Sequence, residues 1–382
     1  MRILRFNYPL YFFFLLAFTS IEATAQVGKA EQEIQAIMKK YDAIGLSVAV
    51  VKDNKLVYTH AFGMKDKESQ TPLSESDVFR IASISKSFSA TAIMQLVEQG
   101  KLSLGDDFSN LVGFKVRNPA YPETIITLKM VLSHTSSIND SQGYFNLDVI
   151  NPAKNPDWAK CYNNYEPGKG YEYCNLNFNM VGTIIEKKSG KRFDQYVKQH
   201  ILDPLGLYGG YTVDSLDSTR FATLYEYDAT TKNFTASPAA YNPRREEIKN
   251  YVMGYSTPIF SPTGGMKISA PDLAKYMMMH MNMGIYNGRR LISKKSAKIM
   301  QTQVAEEDGY GLAIRSVYNL IPGKALKGHT GSAYGLYSSM FFHPKEKFGI
   351  VVITNGCNPV ESNGFLNLTA ETINSLYNNL IR

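Results

Sequence analysis

Cysteine is scarce: the 382 residues hold three, Cys161, Cys174 and Cys357, too few for a disulfide framework. None has C-x-x-C spacing, and the six histidines include no H-x-x-x-H, so no metal site is expected. Long apolar runs are almost missing too. The one at Leu10–Phe18 falls short of the roughly 20 residues a membrane span requires. The formal charge of +7 is mild, and its lysines and arginines are scattered. Without a dense basic stripe or zinc-finger spacing, nucleic acid is not an expected partner. That charge permits only a weak attraction to acidic cell-surface polymers. Repeats, low-complexity tracts and Pro/Ser-rich linkers are absent, so nothing divides the chain internally. G-x-S-x-G is absent as well, which leaves the strand-to-helix nucleophile elbow without support.

What is present starts with a leader-like pattern. Arg2 and Arg5 precede the apolar run, and Ala23-Thr24-Ala25 supplies an A-x-A-like site before Gln26. This predicts a secretory signal peptide over 1–25, cleaved near Ala25, with a retained anchor as the alternative. Gln26 in place of a cysteine gives no sign of a lipid anchor there. The expected product is a periplasmic or secreted chain, one domain over 26–382, with no stable membrane anchor after cleavage. Export allows one bridge. Cys161 and Cys174 flank one loop and are the candidate pair, two buried thiols being the alternative.

Strand-like runs cluster at both ends of this chain. Leu46–Val51 and Lys55–Phe62 flank the polar turn Lys52-Asp53-Asn54 and read as a hairpin. Gly311–Arg315, Leu336–Phe342 and Phe348–Thr354 follow much later, the last two joined by His343–Lys347. Short helices are expected at Glu31–Lys40, from the Phe79 stretch to about Gln99 with Gly100 as its stop, and at roughly Gly364–Ile381. The middle, roughly 103–258, reads as a mostly helical insertion with long polar loops. Hairpins rather than strand–helix alternation argue for an α+β fold: an antiparallel sheet formed by both chain ends and flanked by helices.

One short stretch carries chemistry. "FRIASISKSFS" (79–89) sets four serines around Lys86. A serine hydroxyl needs a base within hydrogen-bond reach. On a helix, residues three or four apart share a face, which leaves Ser83 and Ser89 as partners of Lys86. Helical side chains lean towards the N-terminus, so Lys86 projects over Ser83. Ser83 also sits at the helix start, where unpaired N–H groups can stabilise a developing anion. The plain alternative is a helix cap with its lysine in solvent. A lysine base must act unprotonated, which demands burial or neighbouring positive charge. Two further segments offer the polar company this requires. Tyr173 and Asn175 would face one side of an extended piece before an apolar helix. In Gly328-His329-Thr330-Gly331-Ser332, two glycines would let a substrate approach strand backbone closely.

In this order and spacing the chain resembles the serine β-lactamase and penicillin-binding family, in its class C-like branch with D-alanyl-D-alanine carboxypeptidases and esterases. Ser83-Ile84-Ser85-Lys86 matches the family's S-x-x-K, Tyr173-Cys174-Asn175 its Y-x-N, and His329-Thr330-Gly331 its K/H-T-G. Leu132–Ser136, Pro204–Leu207 and Ser261–Gly265 also fit, so the likeness spans about 30–380. It implies the β-lactamase/transpeptidase-like fold, with Ser83 as the acylated nucleophile and Lys86 and Tyr173 as its proton handlers. It implies Asn175 as the orienting amide and an oxyanion hole from the backbone N–H groups of Ser83 and Ser332. His329, Thr330 and Gly331 would line the substrate's polar end. No cofactor is implied.

Two departures matter. Histidine at 329 replaces the lysine of many β-lactamases and is only partly charged near neutral pH, which disfavours penicillin hydrolysis relative to esters, amides or peptides. Ser137 stands where glycine is usual. The leading expectation is therefore an exported serine hydrolase acting on a small-molecule or short-peptide substrate. Its competitors are an acyltransferase, for which the aromatic-rich segment 141–158 could shape an acceptor pocket, and a penicillin-type sensor that acylates once and stalls.

Overall fold

Leu46, Val48 and Val50 alternate with Ser47, Ala49 and Val51, a period of two that suits a strand covered on both faces. The computed structural model describes residues 10–306 and 308–382, with side chains from 25 onward. This segment is strand β1 (Gly45–Lys52), and it turns into β2 (Lys55–Asp66), followed by the short β3 (Thr71–Pro72). The far end of the chain supplies β4 (Arg315–Val317), β5 (Leu326–Ala333), β6 (Leu336–His343) and β7 (Phe348–Gly356). Together they form a seven-stranded sheet in the order β4-β5-β6-β7-β1-β2-β3. Every neighbouring pair is antiparallel. The two chain ends meet where β1 pairs β7, with Val48 opposite Val352. The expected α+β architecture holds.

Helices cover both faces: α1 (Leu10–Lys40), α2 (Ser85–Glu98), α3 (Asn175–Ser189), α4 (Ala270–Met281) and α5 (Asn367–Leu376). Ile34 and Met38 of α1 join Leu368, Ile373 and Leu376 of α5 over Leu46, Val48, Val50, Ile350 and Val352. Ala49, Val51, Val351 and Ile353, one residue out of step, belong to the larger core with Phe88 of α2 and Met277 of α4. Each fully buried side chain of this size contributes about 1.5–3 kcal/mol. A one-residue slip of β1 would exchange the two faces.

The helix expected over Glu31–Lys40 is the end of the longer α1; only Gly28 between Ala25 and Glu31 opposes helix, at a cost of about 1 kcal/mol. Of the leader expected over 1–25, residues 1–9 lie outside the described residues, and the rest opens α1. Among the described residues no helix is long and apolar enough to cross a membrane. The 103–258 segment is less helical than its patterning predicts. Besides α3 it holds short turns such as Phe108–Val112, capped by Asp107 and stopped at Gly113, and a small hairpin, Tyr225–Asp228 with Asn233–Ala236. A longer helical run over 193–205 stops at the left-handed Gly206, and elsewhere caps and left-handed glycines such as Gly113 keep the helices short.

Candidate active site

Ser83 lies just ahead of α2, in a tight turn over Ala82–Ile84 that follows the short strand Phe79–Arg80. Ala82 takes φ 49, a left-handed conformation that costs a non-glycine residue of order 1–3 kcal/mol. The neighbouring serines are committed elsewhere. Ser85 Oγ accepts from Met266 N, while Ser87 donates to Ile84 O and Ser89 to Pro262 O. Of the four, Ser83 alone lines the main cleft, a volume of about 650 Å³.

Lys86 is wholly buried beneath it. Its Nζ stands 3.2 Å from Ser83 Oγ, 2.8 Å from Asn175 Oδ1 and 3.1 Å from Thr263 O. Burial pushes the amine down to about 7, against weaker opposing pulls from Asp140 and Cys174. A neutral amine has two N–H donors and one lone pair. The two oxygens that can only accept, on Asn175 and Thr263, take both donors, which leaves the lone pair for the Ser83 hydroxyl.

Tyr173 precedes α3 in extended backbone, and its ring centroid is 4.6 Å from Lys86 Nζ. Its Oη is buried without a hydrogen-bond partner among the described residues. Burial holds the phenol well above the ordinary tyrosine range, and the nearby Ser83 hydroxyl offsets only part of this. Tyr173 is thus a neutral phenol at rest. Its placement owes much to His134, whose ring lies 4.5 Å from it and whose Nδ1 accepts from Cys174 N at 3.1 Å. Burial also keeps His134 neutral.

Asn175 opens α3, and its amide orientation is determined by its partners. Oδ1 accepts from Lys86 Nζ and from Thr263 Oγ1 at 2.9 Å, whereas Nδ2 donates to Asp140 Oδ2 at 2.9 Å. Asp140 also accepts from the N–H groups of Asn175 and Leu176, at the positive end of α3. Asp140 escaped the sequence reading, because a loop of more than thirty residues separates it from Asn175. Thr263 stood inside the matching Ser261–Gly265 segment, which was the available signal for it.

Gly331 on β5 packs closely against the turn that carries the nucleophile. A Cβ there would lie 2.3 Å from Ile81 O and 3.1 Å from Ser83 N. Thr330 and the exposed Ser332 line the same cleft. The structure thus brings Ser83, Lys86, Tyr173, Asn175, Thr330, Gly331 and Ser332 to one place.

His329 is there too, but not as a charged contact. Its Nδ1 is 2.5 Å from Thr330 O, which can only accept, so that nitrogen carries the proton. Nε2 therefore accepts from Tyr310 Oη at 2.9 Å. Burial, aided by the Lys86 charge, pushes the imidazole down to about 3. His329 lines the cleft as expected, and only its partial charge is corrected: the ring is neutral, with both nitrogens engaged inside the protein.

The disulfide expectation is corrected as well. Cys161 and Cys174 are free and buried, as is Cys357. Their thiols point to different acceptors, Cys161 Sγ to Val149 O and Cys174 Sγ to Asp140 Oδ1. Ser137 takes φ 61, which explains why glycine is usual at its place.

Comparison with known proteins bears on the family and the fold. Residues 30–370 match the family described as Beta-lactamase. "Protein flp" of Staphylococcus aureus (strain MW2) is 25% identical over 346 residues, covering 85% of this chain and 63% of its own length. The chain thus spans somewhat under two thirds of that relative. "Penicillin-binding protein 4" of Amycolatopsis lactamdurans is 25% identical over 366 residues, 91% of this chain and 89% of its own. Among solved structures, the octameric penicillin-binding protein homologue from Pyrococcus abyssi superposes with a TM-score of 0.71 at 28% identity. It covers 91% of this chain and 76% of its own.

Proposed function

The chain belongs to the beta-lactamase family, and from that premise we propose that it is an exported serine hydrolase working through an acyl-serine intermediate on small esters, amides or D-amino-acid peptides. The observation that carries this reading is the buried Lys86 amine, pushed down to about 7, with its lone pair left for Ser83 Oγ at 3.2 Å. A general base poised near the working pH is what proton abstraction requires.

In the proposed reaction, the Ser83 proton passes to Lys86 Nζ as Oγ attacks the substrate carbonyl. The oxyanion that forms would accept from the backbone N–H groups of Ser83 and Ser332. The bond to the leaving group then breaks, and the proton returns to it from Lys86 through the neutral Tyr173 phenol. Water repeats the steps in reverse order and frees Ser83. Asn175 keeps Lys86 aimed and offers its amide to the substrate. With His329 neutral, a substrate carboxylate would find its cation in Arg315 of β4, which lines the same cleft.

Acyl transfer to an alcohol or amine is the second reading, favoured by the aromatic wall of Tyr144, Phe145, Tyr334 and Tyr337 on this wide cleft. Intact-protein mass after mixing with an activated acyl ester tests both, beside Ser83→Ala. A transient adduct on the wild type alone supports hydrolysis, and one that clears only when an acceptor is added supports transfer. A persistent adduct indifferent to acceptors fits a stalled sensor, and equal labelling of both proteins overturns the assignment of Ser83. Export rests on the 1–25 pattern. N-terminal sequencing that finds Gln26 first supports it, and an intact Met1 on protein from the producing cell overturns it.

A further inference from the structure

Behind the wall of the active-site cleft lies a second, much smaller cavity, of about 30 Å³. Three basic side chains, Arg80, Arg244 and Lys267, line it, and among the described residues no aspartate or glutamate does. The arrangement begins in the backbone. Strand Lys267–Ile268 sits between Phe79–Arg80 and Gly209–Gly210 in a three-stranded sheet, and its register sets Lys267 directly opposite Arg80. Like charges facing across an antiparallel pair are destabilising. Burial sharpens the cost, since Lys267 is only 5% exposed.

The protein answers this charge incompletely. Lys267 Nζ donates to Tyr211 O at 2.6 Å. Arg80 donates to Gly264 O and Ala240 O and stacks on Tyr334. These are neutral groups. Of the three, Arg244 alone has a carboxylate partner, Glu247; the nearby Asp194 is held by Arg192 Nε and Nη2 and by Thr212 Oγ1, so Arg80 and Lys267 make no ion pair of their own. Burial, aided by the Arg80 and Arg244 charges, pushes the Lys267 amine well below its usual range, and an anion beside it would oppose that shift. The cavity exceeds the roughly 10–15 Å³ that one water needs, so it has room for a small ligand.

We infer that this cavity is a binding site for a halide-sized monovalent anion, held between Lys267, Arg80 and Arg244. The site is separate from the acyl chemistry and does not depend on it. It still touches the catalytic frame, because the Gly264 carbonyl that Arg80 holds adjoins Thr263, whose carbonyl holds Lys86. An anion here would fasten the back of that loop.

The test uses the full chain in sodium chloride, bromide and gluconate at equal ionic strength, so that general screening cancels. Binding to the folded state alone raises Tm with ligand concentration. The wild type is expected to gain several degrees, saturably, in chloride or bromide over gluconate. Lys267→Met should lose that response and be at least as stable as wild type in gluconate. Bromide-soaked crystals of the wild type should show an anomalous peak in the cavity, and this readout stands even if the variant fails to fold. An identical Tm in all three salts, an equal halide response in Lys267→Met, or an empty cavity in bromide would each overturn the inference.

Discussion

Asp140 holds Asn175 twice: its Oδ2 accepts the backbone N–H at 2.8 Å and the side-chain Nδ2–H at 2.9 Å. This double grip turns the Asn175 carbonyl oxygen towards Lys86, so the carboxylate aims the base without touching Ser83. Losing a hydrogen bond to a charged group costs about 1.5–3 kcal/mol. Asp140→Asn should therefore lower kcat/KM about 10- to 100-fold. Removing the charge also removes a pull that raises the Lys86 pKa, so the acid limb of the rate profile should move to lower pH. A profile that falls in height without moving would reduce Asp140 to a structural support.

Lys86 must be unprotonated to take the Ser83 proton, and burial pushes its amine down to about 7 from 10.5. Acylation should accordingly rise with pH through an apparent pKa near 7. A limb near 10 would show a solvated lysine and defeat the assignment. The same shift has a stability consequence. Between about pH 7 and 10.5 the unfolded chain binds more protons at this lysine than the folded one, so its contribution to stability grows with pH across that window and is smallest below it. Lys86→Met should lose that slope.

The cysteines make a simple chemical prediction. All three thiols are free and buried. Denatured protein handled without reductant should titrate three thiols with a disulfide reagent, native protein should react slowly, and reductant should leave Tm unchanged. One thiol found after denaturation would restore a bridge.

His329 looks like a lysine replaced, but its site is not built for a charge. It is neutral, and Nε2 accepts from Tyr310. Lysine cannot accept that bond, and its charge would lie near Lys86. His329→Lys should destabilise the protein by about 2 kcal/mol or more without adding penicillin hydrolysis. A stable variant with that activity would reverse this account of the pocket. Arg315→Gln, by contrast, should raise KM for substrates bearing a carboxylate and leave neutral esters unaffected.

What the sequence made legible follows from how local each signal is. The hairpins at both ends could be read because alternation and polar turns lie within a dozen residues. Ser83 and Lys86 could be paired because three residues set their distance, even though Ser83 sits in a tight turn ahead of the helix. The charge state of His329 could not be read, since it depends on burial and on Tyr310 from a neighbouring segment. The Cys161–Cys174 pairing failed for a related reason. Closeness along a loop says nothing about where the two Sγ atoms point, and here they face Val149 and Asp140.

Gly331 offers the sharpest test of how the nucleophile is held. A methyl at this position would lie 2.3 Å from Ile81 O and 2.5 Å from Ser338 Oγ. Neither can yield cheaply. Ile81 is tied to Met266 O through its N–H at 2.9 Å, and Ser338 Oγ itself donates to Ile81 O at 2.9 Å. The added carbon must therefore push the turn that carries Ser83 away from β5. A displacement near 1 Å at a reacting atom costs roughly 100-fold in rate. Gly331→Ala should cut Ser83 acylation by about that factor while circular dichroism still reports a folded chain. Gly105→Ala, where the nearest neighbouring atom is 3.9 Å away, should leave the rate unchanged. If Gly331→Ala acylates at the wild-type rate, the contact between β5 and the nucleophile turn does not position Ser83, and the oxyanion role proposed for Ser332 loses its geometric basis with it.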